Sequence, residues 1–400
     1  MTRTGREQIV FLGMMTKIPV GGAVWGTMQY LVGFERLGYD VYYVEAHART
    51  PSMFMVNDDD DSSALAAEYL SRLMERFGFA DRWAFHALHD DGRCYGMSAE
   101  RLRELYRSAA LIINYHGGTV PLPEHVETGR LVYLETDPVE LEIELHNNDP
   151  AAIAFLEPHR AFFTWAQNYG HSDCRVPVPE RFPFRPTLPP VVNDLWEPFS
   201  NGAGESFTTI GNWRQNWRPV SLNGERYHWS KHLEFEKFID LPRRSPQPFE
   251  LALSSFDDND RQLLLSHGWR VRDSLAFTTD VDCYRQYVGQ SRGEFTVAKD
   301  QNVRLRSGWF SDRSASYLAC GRPVITQETG FSNILPTGDG LFAFSTLEEI
   351  EEAVDRVNAD YAHHAAAAER IAWEWFDYRV VLPAMLEHLD CKPSSVEVIG

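Results

Sequence analysis

The sequence predicts an α/β protein of two domains, and three observations carry that expectation. Short apolar runs recur along the chain, separated by stretches with helical spacing. The length of 400 residues exceeds one ordinary core at ~100–200 residues per domain. A proline-dense segment from Val176 to Pro198 divides the series into two halves of similar size.

Ile9 to Met15 is continuously apolar, as in a strand buried on both faces. A loop with Pro19, Gly21 and Gly22 follows, then a helix from Ala23 to Leu37, with Gly38 past its end. Tyr39 to Glu45 completes a β-loop-α-β unit, which requires parallel strands. Leu65–Phe77 and Ala99–Ser108 read as helices, and Leu111–Tyr115 and Leu131–Glu135 as buried strands. The proline-dense segment is a stiff linker, and Asn201-Gly202-Ala203-Gly204 marks the boundary.

The second series has strands at 207–211, 249–254, 269–272, 294–298, 323–326 and 341–344. Helices fall at 229–239, 258–266, 282–290 and 312–320. Thr346 and Glu349 form a capping box for the helix from Leu347. Residues 361–389 are helical, with breaks at Phe376-Asp377 and Pro383. In such sheets ligands bind beyond the carboxyl ends of the strands, so two facing domains place a site in the cleft between them.

Composition narrows the functions. With 38 basic and 57 acidic residues the net charge is −19, which repels nucleic acid and anionic membranes. Only five of the basic residues are lysines. Five scattered cysteines without a CxxC pair fit a reduced, cytoplasmic protein. No segment is long and apolar enough to span a bilayer. The GGAVWG stretch is not GxGxxG, so a dinucleotide cofactor has little support.

The segment from Gly293 to Leu341 carries the most chemistry. Ser311 is a suitable N-cap for the helix 312–320, and Gly321 a suitable terminator. Arg306, Ser307 and Gly308 stand just before that helix, whose free N–H groups and dipole favour an anion such as phosphate. Lys299 adds charge there. After the next strand, Glu328, Thr329 and Gly330 stand where polar side chains reach a sugar.

This segment resembles the nucleotide-sugar-binding half of the GT-B glycosyltransferases, of the glycosyl transferase group 1 kind. The resemblance lies in Gly308-Trp309-Phe310-Ser311, then Gly321-Arg322-Pro323-Val324, then Gln327-Glu328-Thr329-Gly330. Thr209 to Arg214 looks like the turn where that family keeps a basic residue for the diphosphate, here Arg214. Gly21 and Gly22 look like its glycine-rich acceptor or phosphate loop, and the alternative is a tight turn. One departure stands out: Ser314-Ala315-Ser316-Tyr317 lacks the carboxylate that many members carry on this helix.

In the first half, His116 follows a buried strand and is a candidate general base or a ligand of the donor sugar or phosphate; the alternative is a loop histidine bonded to backbone. Asp137 ends the next strand as a base, as the group orienting His116, or as a turn cap. His86-Ala87-Leu88-His89-Asp90-Asp91 lacks further ligands at metal spacing, and Asp280-x-Asp282 reads as a helix cap, so no metal is expected. Arg218 reads as an arginine stacked on Trp in a structural turn.

The resemblance implies two facing Rossmann-like domains. Residues 1–185 would bind the acceptor, 186–205 would link, 206–375 would bind the nucleotide sugar, and 376–400 would return to the first domain. It implies a metal-independent hexosyltransferase-like enzyme. A UDP- or dTDP-sugar would be its substrate, and no cofactor would be needed. The acceptor would be a small molecule, as in natural product biosynthesis. Arg214, Lys299, Arg306, Ser307, Gly308 and Ser311 would hold the phosphates, and Glu328, Thr329 and Gly330 the sugar. His116 and Asp137 would stand at the reacting centre, and domain closure would exclude water. The alternatives are a sugar-nucleotide epimerase on the same fold and a noncatalytic nucleotide-sugar-binding protein.

Overall fold

The computed structural model describes residues 5–197 and 203–389. Within the expected linker and tail, residues 198–202 and 390–400 lie outside the described residues, and so does the expected boundary at Asn201-Gly202. Two sheets organise the chain. The first holds β1 (Gln8–Leu12), β2 (Asp40–Glu45), β3 (Trp83–His86), β4 (Cys94–Tyr95), β5 (Leu111–Tyr115), β6 (Leu131–Glu135), β7 (Ala161–Thr164) and β8 (Phe184–Pro186). Its order is β4-β3-β2-β1-β5-β6-β7-β8, and every pairing is parallel except β3 with β4.

The second half begins with β9 (Phe207–Asn212), followed by the hairpin β10 (Val220–Leu222) and β11 (Glu225–Tyr227). Then come β12 (Phe249–Ser254), β13 (Arg270–Asp273), β14 (Gly293–Thr296), β15 (Val324–Gln327) and β16 (Leu341–Phe344). The six-stranded sheet runs β13-β12-β9-β14-β15-β16, wholly parallel. Both sheets therefore reverse direction beside their first strand, between β1 and β5 and between β9 and β14. These are the two Rossmann-like switch points, where a crevice opens above the strand ends. Helices cover both faces, which is why Val10, Phe11, Ile112, Ile113 and Val132 are wholly buried without alternation.

Four helices fix the arrangement of the halves: α1 (Gly21–Arg36), α2 (Val281–Gly289), α3 (Asp312–Ala319) and α4 (Tyr378–Glu387). A Cβ on Gly21 would lie 2.4 Å from Tyr284 of α2, and one on Gly33 2.7 Å from Leu382 of α4. The glycines of α1 thus let one helix of the second half and the C-terminal helix pack closely on the first domain. The proline-dense segment is pinned as well. Val191 N–H donates to Phe376 O at 2.6 Å, Tyr378 N–H to Val191 O at 2.9 Å, and Asn193 Nδ2 to Asp377 Oδ2 at 2.8 Å.

Some elements differ from expectation. The terminal helical run breaks at Ala372–Phe376 and Asp377 but continues through Pro383, which lies inside α4 and removes one backbone donor. Residues 184–186 were expected to bound the linker, yet they add an edge strand, where proline costs no ladder bond on the solvent side.

Candidate active site

The two switch points face a single cavity of about 540 Å³. The first domain contributes Ile18, Val20 and Gly22 after β1, Met53 after β2, Tyr115 and His116 at β5, Thr136 and Asp137 after β6, and Trp165 after β7. The second contributes Ile210, Gly211 and Asn212 of β9, Ser254 and Ser255 after β12, and Ser274, Leu275 and Thr278 after β13. Trp229, Lys231, Lys299, Trp309 and the start of α3 at Ser311, Asp312 and Arg313 complete it. A Cβ at Gly211 would meet nothing within 4 Å, so a ligand can approach that backbone closely.

Positive charge converges on this cavity although the chain is acidic. Lys299 Nζ lies 2.5 Å from Asp137 Oδ2 and 3.5 Å from the centre of the Trp229 ring. Burial depresses its pKa to about 8, against the attraction of Asp137. Lys231, buried beside Trp309 at 5.6 Å, is depressed further by burial and by repulsion from Arg313 and Lys299. Arg313 is locked in place: Nε donates to Glu294 at 2.6 Å, Nη1 to Ile210 O at 2.6 Å, and Nη2 to Thr296 Oγ1 at 3.0 Å. The α3 N-terminus adds its dipole, with Ser311 Oγ accepting the Arg313 N–H at 3.2 Å. An anion entering here relieves lysines that are costly to keep charged.

The opposite wall is positioned by strain. His116 adopts φ 43° and Val139 φ 98°, the latter far from where a β-branched residue rests. Glu142 holds Val139 by accepting its N–H at 2.8 Å. Glu142 and Glu135 are both buried, and burial raises both pKa values, with the Glu142 charge raising Glu135 further, so they retain a proton between them. Thr164 donates to Glu135 at 2.6 Å. This buried support fixes the loop that carries Asp137, whose Oδ2 also accepts from Trp229 Nε1 and whose Oδ1 is buried without a partner. His116 stacks on Tyr115 at 4.1 Å, and burial with the nearby Arg49 charge lowers its pKa to about 4 against the pull of Asp137. Its ring is neutral near pH 7.

Of the residues expected at the site, Gly22, His116, Asp137, Lys299 and Ser311 line the cavity, and the remainder do not. Gly21 faces Tyr284 instead. Arg214 binds Asp260 through Nε at 3.0 Å and through Nη2, at the far side of its turn. Arg306, Ser307 and Gly308 do not line the cavity and contact the first domain. Gln167 and Asn168 N–H groups donate to Gly308 O and Ser307 O at 3.3 and 3.1 Å, and Arg306 pairs with Asp173 at 2.7 Å. A Cβ on Gly308, at φ 80°, would sit 2.2 Å from Asn168 N. Gly330 packs on the Asn168 side chain, Thr329 Oγ1 donates to Trp309 O at 2.8 Å, and Glu328 accepts the Gly330 N–H. These groups spend their polar atoms on the interface.

Two cations of the cavity were not assigned a role from sequence. Lys231 stands in the same Trp- and Arg-rich loop that pointed to Arg214. Arg313 sits two residues past the N-cap Ser311. Arg218 lies over the Trp229 ring at 4.6 Å. Asp280 caps α2, accepting from Asp282 and Cys283 N–H at 2.8 Å. Among the described residues, Asp339, His363 and His364 form a group of metal-ligating type, away from the cavity.

The architecture has solved counterparts. HepE of Anabaena, in complex with UDP-glucose, superposes with a TM-score of 0.56 at 14% identity, covering 96% of this chain and 100% of that one. The fold is that of the GT-B glycosyltransferases. AviGT4, a glycosyltransferase involved in avilamycin A biosynthesis, gives 0.54 at 11% identity, over 96% and 97% of the two chains. An α-glucosyltransferase in complex with UDP and a 13-mer DNA gives 0.54 at 9%, over 97% and 100%. No protein-family model and no curated protein matches the chain. At such identities the GT-B likeness is one of fold, and the chemistry rests on the cavity. No helix among the described residues is long and apolar enough to cross a membrane.

Proposed function

We propose that the protein is a glycosyltransferase that moves a sugar from a nucleoside diphosphate to a small-molecule hydroxyl without a metal ion. The observation that carries this reading is the convergence of Lys231, Lys299, Arg313 and the α3 N-terminus on one cavity between two switch points. The neighbours with the same fold are glycosyltransferases, and HepE holds UDP-glucose. They do not favour the epimerase or binding-protein alternatives.

The bond from the anomeric carbon to the diphosphate breaks as the bond to the acceptor oxygen forms. Negative charge then gathers on the leaving diphosphate, where preorganised cations lower the barrier most. Lys231 and Lys299 supply that charge, which is why no metal enters the proposal. Ser254, Ser255, Ser274 and Thr278 offer short polar groups for the nucleoside, consistent with a UDP or dTDP donor. His116 is neutral and suited to hydrogen-bond a sugar or acceptor hydroxyl, and Asp137 holds Lys299 in place. A net charge of −19 speaks against a nucleic-acid acceptor and for a small one, such as a natural product. Scattered cysteines without a CxxC pair support a cytoplasmic location.

A thermal-shift panel of UDP, dTDP, GDP and ADP tests this. One diphosphate at 100 times its Kd stabilises by ~2.7 kcal/mol, and that gain disappears in Lys231→Met. Failure of every diphosphate to stabilise the protein at millimolar concentration rejects the reading.

A further inference from the structure

The charged residues lining the cavity, Asp137, Lys231, Lys299, Asp312 and Arg313, are all buried or half-buried. Its exposed residues carry no charge: apart from Ser255 they are three large apolar side chains. Ile18 is 44% exposed, Met53 46% and Leu275 43%, and all three line the cavity. Single exposed hydrophobics are ordinary on a protein surface. Three that meet at one opening, from three separate loops of both domains, are a patch with a place to put something. Trp217, also exposed, lies with its ring tilted 6.0 Å from Trp229, which lines the same cavity. Of the nearby cations, Arg218 of the second domain lies over Trp229 and 3.9 Å from Asp137, while those beside Ile18 and Met53 are held elsewhere. Lys17 Nζ donates to Thr50 O at 3.2 Å, Arg49 Nη1 lies 3.4 Å from Met14 Sδ, and neither lines the cavity.

A glycan acceptor calls for carboxylates, amides and guanidinium groups along the entrance. The first domain offers Ile18, Val20 and Met53 there, with its polar groups, Thr136, Asp137 and His116, deeper. We propose that the acceptor is an amphipathic alcohol, its hydroxyl reaching toward Asp137 and His116 and its hydrocarbon or aryl body lying on Ile18, Met53 and Leu275. This rests on the transferase reading above. The acceptor oxygen bonds to the anomeric carbon, the old bond's electron pair leaves with the diphosphate, and the hydroxyl proton is released to solvent.

The test is binding of n-alkyl β-glucosides, methyl to octyl and below their micelle concentrations, to the full chain saturated with UDP. Trp165, Trp229 and Trp309 line the cavity and report by fluorescence. The dissociation constant falls about two- to fourfold per added methylene, as burial of each CH₂ requires. Ile18→Asp and Met53→Asp, both at exposed positions, flatten that dependence while UDP still raises the melting temperature as in the parent. A flat chain-length series with UDP binding intact overturns the apolar-acceptor inference and leaves the transferase reading standing. Loss of UDP binding in the parent protein overturns both. A dimer in solution that Met53→Asp dissociates overturns the inference too, because the patch then has a different occupant.

Discussion

Lys299 makes the affinity for diphosphate depend on pH through the proton it takes up on binding. In the free protein its pKa is about 8 because burial disfavours the ammonium. A bound diphosphate supplies the missing countercharge and returns the pKa toward its ordinary value. Above pH 8 the lysine must take up a proton to bind, so between pH 7 and pH 9 the affinity for UDP falls about tenfold. Lys299→Met removes its part of that slope and makes the pH dependence shallower. At pH 7 the same substitution costs roughly 10- to 100-fold in affinity, the worth of one charge-assisted hydrogen bond. Titration calorimetry on both proteins across this range is the assay. The β-phosphate, with its second pKa near ~6, is fully ionised throughout. Loss of the uracil N3 proton is common to both proteins and cancels in the comparison. A parent affinity that is flat from pH 7 to 9, or a variant with the same slope, refutes the assignment. The linkage has a second face: with Lys299 lower in the folded than in the unfolded chain, its contribution to stability rises with pH between 8 and the unfolded value, and a ligand abolishes that rise.

Other outcomes follow from the same geometry. Arg214→Ala lowers the urea midpoint, toward the low end of ~1–3 kcal/mol because the guanidinium is partly solvated, while UDP affinity stays within about twofold. Gly308→Ala destabilises by ~1–3 kcal/mol, since the left-handed backbone and the Asn168 contact both oppose a methyl group, and denaturant unfolding reads the loss. His116, His125 and His159 are each pushed down to about 4 by burial, so their neutral forms stabilise the fold above pH 6.5. That stability is lost as pH falls toward 4, up to about 3 kcal/mol per histidine, and His159→Gln makes the acid limb of the unfolding curve shallower.

The two Rossmann-like series were legible because parallel strands covered on both faces appear as continuous apolar runs, and β5, β6, β12 and β16 begin and end where the sequence marks them. β3, β7, the edge strands β4 and β8 and the hairpin β10–β11 escaped notice because they are short, and β8 carries Pro186. The site was legible by position: His116, Asp137, Lys299 and Ser311 all follow a strand's carboxyl end or open a helix. The identity of the other cations was not. Arg214 and Lys231 lie in one aromatic loop, and only the buried Asp260 decides that Arg214 turns away. The run from Arg306 to Gly308 has the composition of a phosphate turn, but its polar atoms are taken by Gln167, Asn168 and Asp173, partners more than a hundred residues away in sequence.

Those partners bear on how substrates come and go. Three backbone bonds join the domains at this seam, from Gln167, Asn168 and Arg175 to Gly308, Ser307 and Leu305. At ~0.5–1.5 kcal/mol each, parting them costs roughly 2–4 kcal/mol before any side chain is counted. A widely opened state is then about 3% of the population or less, so the seam favours passage without large hinge swings. The donor and acceptor instead thread through the standing entrance, one behind the other. The deeper ligand, whose charge is met by the lysines, is the first to arrive, and its diphosphate is the last to leave. Product inhibition by the free nucleotide, competitive with the donor, is the kinetic signature of such a seam.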